Sequence, residues 1–195
     1  MGRKVYSDKE TNPEKIKENK VKEAVSLIIY CIVVVAVMFL VVKFVGQRTV
    51  VLGSSMEPTL QDGDNLITDK ITYRLIEPKR FDIVVFPYKE NTSKLLIKRI
   101  IGMPGEKVQI KNGKVYINDT ELKDDVYGNA LMVDEGIVGD PVVLAADEYF
   151  VLGDNRNHSQ DSRFASVGNI HRDDIIGRAW VRIWPLNKLT LLKHQ

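Results

Sequence analysis

Three short blocks carry the residues with the strongest claim to chemistry: Gly53-Ser-Ser-Met-Glu-Pro-Thr-Leu60, Lys98-Arg-Ile-Ile-Gly-Met-Pro-Gly-Glu106 and Gly153-Asp-Asn-Arg-Asn-His-Ser-Gln-Asp-Ser-Arg163. Each sits where a strand-like run meets a turn. A serine hydroxyl is a weak nucleophile until a neutral base takes its proton, so the first block matters only if something basic reaches it. The second block supplies a lysine. On a strand, Lys98 and Ile100 alternate with Ile97, Arg99 and Ile101, so its two cations point to different faces. A lysine buried among Leu95, Leu96, Ile97 and Ile100 has its ammonium form disfavoured, which lowers its pKa towards that of a working base. The third block has no large apolar side chain but is dense in Asp, Asn, Arg and Ser, as suits a hydrogen-bonded loop beside a site. Taken singly, each block also has an ordinary reading: a turn closed by Pro58, an edge strand with solvated charges, an exposed loop.

Other chemistries find less support in the same letters. The chain has no G-x-S-x-G, no H-E-x-x-H, no S-x-x-K and no P-loop. A Ser-His-Asp triad can be assembled from Ser55, His158 and either Asp154 or Asp161, but nothing in the spacing favours it. The Asp-rich third block lacks the glycine and closing glutamate of a calcium loop, so neither a metal nor any other cofactor is expected.

These blocks need elements to position them. From Ala24 to Val42 the chain has no charge; such a helix is about 28 Å long, close to a bilayer's hydrocarbon core. No small-x-small cleavage site follows, so the segment reads as a retained transmembrane helix over 24–45 rather than a removed signal peptide. Lys4, Lys9, Lys15, Lys17, Lys20 and Lys22 precede it, whereas only Lys43 and Arg48 follow closely. That bias predicts a cytoplasmic tail over 1–23 and an extracytoplasmic domain over 46–195, a single-pass type II protein of the cell membrane. The tail holds seven of the 28 Lys/Arg and five of the 26 Asp/Glu, leaving 21 of each sign outside. A formally neutral domain gives no reason to expect nucleic acid as a partner. The only cysteine, Cys31, lies in the apolar segment, so the external domain needs an apolar core rather than intrachain disulfides. Short β-branched runs recur at 48–52, 65–68, 81–86, 94–101, 107–110, 114–118, 148–152 and 178–184, and Asn112-Gly113 marks a hairpin. The reading is an all-β external domain behind one N-terminal membrane helix, with 119–147 as an acidic, weakly patterned excursion. Trp180 and Trp184 are placed either in the core or on an apolar surface that meets the bilayer.

Together the blocks resemble the type I signal peptidase family. Arg80-Phe-Asp-Ile-Val-Val-Phe86 and Gly177-Arg-Ala-Trp-Val-Arg-Ile-Trp-Pro185 add weaker matches, in the family's order, over about residues 24–186. The resemblance implies a membrane-bound serine endopeptidase of signal-peptidase-type β fold, in which Ser55 is the nucleophile and Lys98 its base. It also implies that Ser159 hydrogen-bonds and orients the lysine amine, and that Asp154 with Arg99, and Asp161 with Arg163, form supporting ion pairs. Val51, Met56, Leu60 and Ile97 fall at positions that help line substrate pockets, although core packing is an equal alternative for any one of them. The implied partners are secretory preproteins, cut after a small-x-small segment, and the lipid bilayer. Gly53 stands where many relatives carry an oxyanion-binding serine, which leaves the second oxyanion donor open, and no role is implied for Asn157 or His158. Two other classes remain: a self-cleaving repressor of the same Ser-Lys lineage, which would want a DNA-binding domain, and a non-catalytic β domain, which would not need Ser55 and Lys98.

Overall fold

A computed structural model of the chain describes residues 13–44, 46–128 and 130–192. The chain divides into two units at Lys43 and Phe44. In the first, helix α1 runs Pro13–Phe44, so part of the polar tail is helical and residues 1–12 lie outside the described residues. Its stretch Lys17–Leu40 has a mean hydropathy of 2.6 and the length to cross a membrane. Ile28, Tyr30, Val35 and Phe39 are all more than half exposed. A helix apolar on every side has no polar face to offer water, which is the character of a membrane span.

The second unit is built from strands. They are β1 (Gly46–Val50), β2 (Asn65–Asp69), β3 (Ile83–Tyr88), β4 (Asn91–Gly102), β5 (Lys107–Lys111) and β6 (Lys114–Ile117). The rest are β7 (Thr120–Glu121), β8 (Val142–Val143), β9 (Glu148–Leu152), β10 (Ile170–His171), β11 (Gly177–Trp184) and β12 (Thr190–Leu191). A large antiparallel sheet runs β1-β2-β11-β3-β4-β9-β10, with β12 on β11, and a smaller one runs β7-β6-β5-β8. The β5–β6 turn holds Asn112 and Gly113 at φ 51° and 74°, the left-handed pair that a two-residue hairpin requires. Alternation along β4 sends Ile97 into one buried cluster, with Val51, Met56, Leu60, Leu66, Ile83 and Val85, and Ile100 into another, with Val84, Phe86 and Val151. Both faces of β4 are therefore covered, and its C-terminal half lies between β3 and β9 rather than at an edge.

Two expectations gain detail here. The excursion over 119–147 is tied into the core, where it buries Met132, Val138 and Leu144 against Ile101, Val108, Ile110 and Phe150. Its few apolar residues are too widely spaced to show a period. Trp180 and Trp184 are not core residues: they leave 44% and 54% of their surface exposed, as Leu186, Leu189 and Leu191 do to a greater degree.

Candidate active site

Ser55 lies in the loop that connects β1 to β2. The base of the loop is closed by Val51 N–H to Asp64 O at 2.8 Å and Gly63 N–H to Val51 O at 3.0 Å. Its middle is coiled by Glu57 N–H to Ser54 O and Leu60 N–H to Met56 O, at 3.1 and 2.9 Å. Met56 and Leu60 are buried anchors, and between them the apolar contacts hold the half-buried Ser55 in a defined place. Gly53 N–H donates to Asp62 Oδ1 at 2.7 Å, so it is already committed within the loop. The Ser55 N–H has no acceptor among the described residues.

β4 brings Lys98 to the serine. The side chain is almost wholly buried, its Nζ 2.7 Å from Ser55 Oγ and 3.0 Å from Ile97 O. No carboxylate forms an ion pair with it among the described residues. Burial pushes its pKa down to about 8; the charge of Asp161 opposes this, Lys94 adds to it, and Asp154 opposes it less. At pH 7 about one lysine in ten is then a neutral base, against one in a few thousand for a solvated lysine.

The loop after β9 packs against this pair. Asn155 N–H donates to Ser55 O at 3.1 Å, and Asn155 Nδ2 donates to Ser54 O at 3.2 Å. The approach needs a bare backbone at Gly153, where a Cβ would lie 2.4 Å from Ser55 O and 2.2 Å from Ser159 Oγ. Asp154 accepts two bonds from Arg99, at 2.8 and 2.7 Å, and one from Thr59 Oγ1 at 2.5 Å. Arg99 also donates to Phe81 O, and its guanidinium lies 3.6 Å from the centre of the Tyr127 ring. Asp161 is paired with Arg163 at 2.8 and 3.0 Å and accepts from Gly153 N–H at 3.1 Å. Both pairs are buried. With its partners in place, each charge is neutralised and geometrically satisfied, so the pairs clamp the loop onto β4.

Ser159 behaves differently from what the resemblance implied. Its Oγ is buried but has no hydrogen-bond partner among the described residues, and Lys98 is bonded to Ser55 and Ile97 instead. His158 is exposed at the mouth of the site. The carboxylates that could have oriented it are occupied by Arg99 and Arg163, so the geometry assembles no Ser-His-Asp triad.

A cleft of about 230 Å³ opens over Ser55 and Lys98, walled by residues 50–56 and 94–98. Val51, Met56 and Ile97 line it; Leu60 does not, being buried beneath the loop. Leu52 and Leu95 are lining residues that the motif positions did not single out. The β9 ladder pairs with β4 only from Arg99 onward, which leaves residues 95–98 with a strand partner on the β3 side alone. One edge of the cleft is therefore an open strand. A larger cavity of about 340 Å³, lined by Lys114, Glu121, Asp125 and Arg156, touches neither Ser55 nor Lys98.

Comparison with known proteins adds lineage to this geometry. Residues 22–184 match the family model described as signal peptidase, peptidase S26. A probable signal peptidase I-2 of Synechocystis is 42% identical over 76% of this chain and 68% of its own length. A signal peptidase I of Leptolyngbya laminosa is 41% identical over 75% and 72%. Signal peptidase I T of Bacillus subtilis is 35% identical over 95% of this chain and 98% of its own.

Proposed function

The chain belongs to the signal peptidase family, peptidase S26, and on that premise we propose that it removes N-terminal signal peptides from secretory preproteins with Ser55 as nucleophile and Lys98 as base. The observation that carries the reading is the 2.7 Å approach to a serine oxygen of a buried lysine amine that no carboxylate pairs with among the described residues. When the amine is neutral, the Ser55 hydroxyl donates to its lone pair. Attack of Oγ on the scissile carbonyl then transfers that proton to Nζ, and the resulting oxyanion is received by the Ser55 N–H. Collapse to the acyl-enzyme passes the proton from Lys98 to the departing amine. Water completes the cycle, with Lys98 again as base. Asp154, Arg99, Asp161 and Arg163 move no proton; they hold the loop that supports Ser55 and walls in Lys98.

The open edge of β4 suits an extended peptide, which can pair by main-chain bonds while alternate side chains enter the cleft. Val51, Met56 and Ile97 give the part of the cleft beside Ser55 an apolar wall, which suits the uncharged side chains of a small-x-small segment. We place α1 in the bilayer with 1–23 on the cytoplasmic side and 46–195 outside, on the lysine bias before the apolar span. The test is to incubate detergent-solubilised protein with a preprotein and locate the cut by mass spectrometry. Wild type cuts after the small-x-small segment and Ser55→Ala does not; cleavage at an equal rate by the alanine variant would overturn the proposal.

A further inference from the structure

Lys94 is a charged cleft residue for which the proposed chemistry has no use. It lies on the same face of β4 as Lys98, four residues earlier, and lines the same cleft. Its side chain is exposed, its ammonium stands 5.5 Å from the centre of the Tyr88 ring, and among the described residues no carboxylate pairs with it. None of the other residues lining the cleft is acidic. A positive charge that no carboxylate pairs with among the described residues therefore lines the same cleft as Ser55.

We propose that Lys94 is a specificity-determining residue that favours an acidic side chain, and disfavours a basic one, in the substrate segment before the scissile bond. The proposal rests on the Ser55–Lys98 reading and on the binding of an extended peptide along the open edge of β4. Four residues of strand cover about 13 Å, so a peptide alongside brings a side chain to Lys94 about four residues from the bond attacked by Ser55. Val51, Leu95, Leu96 and Ile97 line the cleft along this edge, and the proposal lays the segment before the scissile bond against them. The charge therefore meets the residue that precedes the small-x-small segment. Lys94 makes no contact with the reacting atoms. Its effect is on which peptides dwell in the cleft.

The test uses the full-length protein in detergent and a set of signal-region peptides that carry Asp or Lys in turn at each of six positions before the cleavage site and three after it. The readout is the ratio of kcat/KM for the Asp and Lys peptides in the same enzyme. Taking this ratio cancels any change that a Lys94 substitution causes in Lys98 itself. An exposed charge pair shifts such an equilibrium by about 1.4- to 5-fold, and a like-charge pair by a similar factor in the other direction, so wild type should favour Asp over Lys by about 2- to 25-fold near the fourth position. The ratio should persist in Lys94→Arg, fall to about one in Lys94→Gln, invert in Lys94→Glu, and shrink with added salt as exposed pairs do. A ratio that Lys94→Glu leaves unchanged at every position, or a preference found only after the cleavage site, overturns the proposal. If Ser55→Ala is inactive while such a result is obtained, the charge preference alone is wrong. If Ser55→Ala cleaves like wild type, the reading beneath it is wrong.

Discussion

Replacing Lys98 with methionine should abolish cleavage and, below about pH 8, make the protein more stable. In the unfolded chain the lysine holds its proton up to roughly pH 10.4, whereas burial in the folded site pushes its pKa down to about 8. Between those values the unfolded state binds more protons than the native one, so stability rises with pH through the window, and the lysine's cost is fully present below it. A shift of that size corresponds to about 3 kcal/mol at pH 7, falling to about 1 kcal/mol at pH 10. Methionine keeps the length and apolar contacts of the lysine stem without the charge. The gain from Lys98→Met should therefore exceed its own value at pH 10 by about 2 kcal/mol when measured at pH 7. Urea unfolding of the full-length protein in detergent, followed by the fluorescence of Trp180 and Trp184, reads this at both pH values; both tryptophans lie on β11 in the catalytic unit. The comparison of two pH values matters more than either alone, because the lost bond to Ser55 and any repacking are the same in both. A Lys98→Met gain that does not change with pH, or a loss that deepens as pH falls, would refute the argument that burial lowers the pKa of this amine.

Other outcomes follow from the same contacts. Ser55→Ala and Lys98→Ala should each remove nearly all kcat/KM, and the double variant should lose little more, because the two groups act as a unit; losses that multiply would argue for independent roles. Asp154→Ala leaves Arg99 charged and buried without its carboxylate, so unfolding experiments should show a cost of about 3–5 kcal/mol, and a change under 1 kcal/mol would count against the clamp. Protease added outside intact spheroplasts should digest the domain after Lys43 and spare the N-terminal tail; a protected domain would reverse the orientation. Activity should be indifferent to EDTA, since the proposed steps use only a hydroxyl, an amine and a backbone N–H.

Much of this architecture is legible in local sequence because the physics that shapes it is local. Alternating β-branched runs fit pleated, half-buried strands, and Asn112-Gly113 supplies the positive φ values of a tight hairpin. The three chemical blocks are contiguous, so their members can be read together even before the blocks are known to meet. What stays hidden is set by contacts between distant residues. Arg99 and Asp154 are 55 positions apart, and nothing near either one announces Tyr127 stacked on the guanidinium. Asn155 was visible as a loop residue, yet its grip on Ser54 and Ser55 depends on how the β9 loop lands on the β1–β2 loop. Leu60 shares a motif with Ser55 but faces the core, because a coil turns successive side chains in directions that no two-residue period describes. Ser159 shows the limit of transferring a role by motif: the position is matched, but its hydroxyl makes no bond to Lys98. The 119–147 segment looked unpatterned because its buried residues, Met132, Val138 and Leu144, answer to the surfaces they cover rather than to a helix or strand of their own.

The central claim is that a neutral Lys98 amine takes the Ser55 proton, and the pH dependence of kcat/KM tests it most directly. With Lys98 held down to about 8 by burial, the rate on a preprotein substrate should climb tenfold per pH unit on the acid side, bend near pH 8, and reach an alkaline plateau. The His158→Gln variant should trace the same curve. A limb that bends near ~6.5, the ordinary histidine value, and is displaced or lost in His158→Gln would assign the proton to histidine and contradict the account.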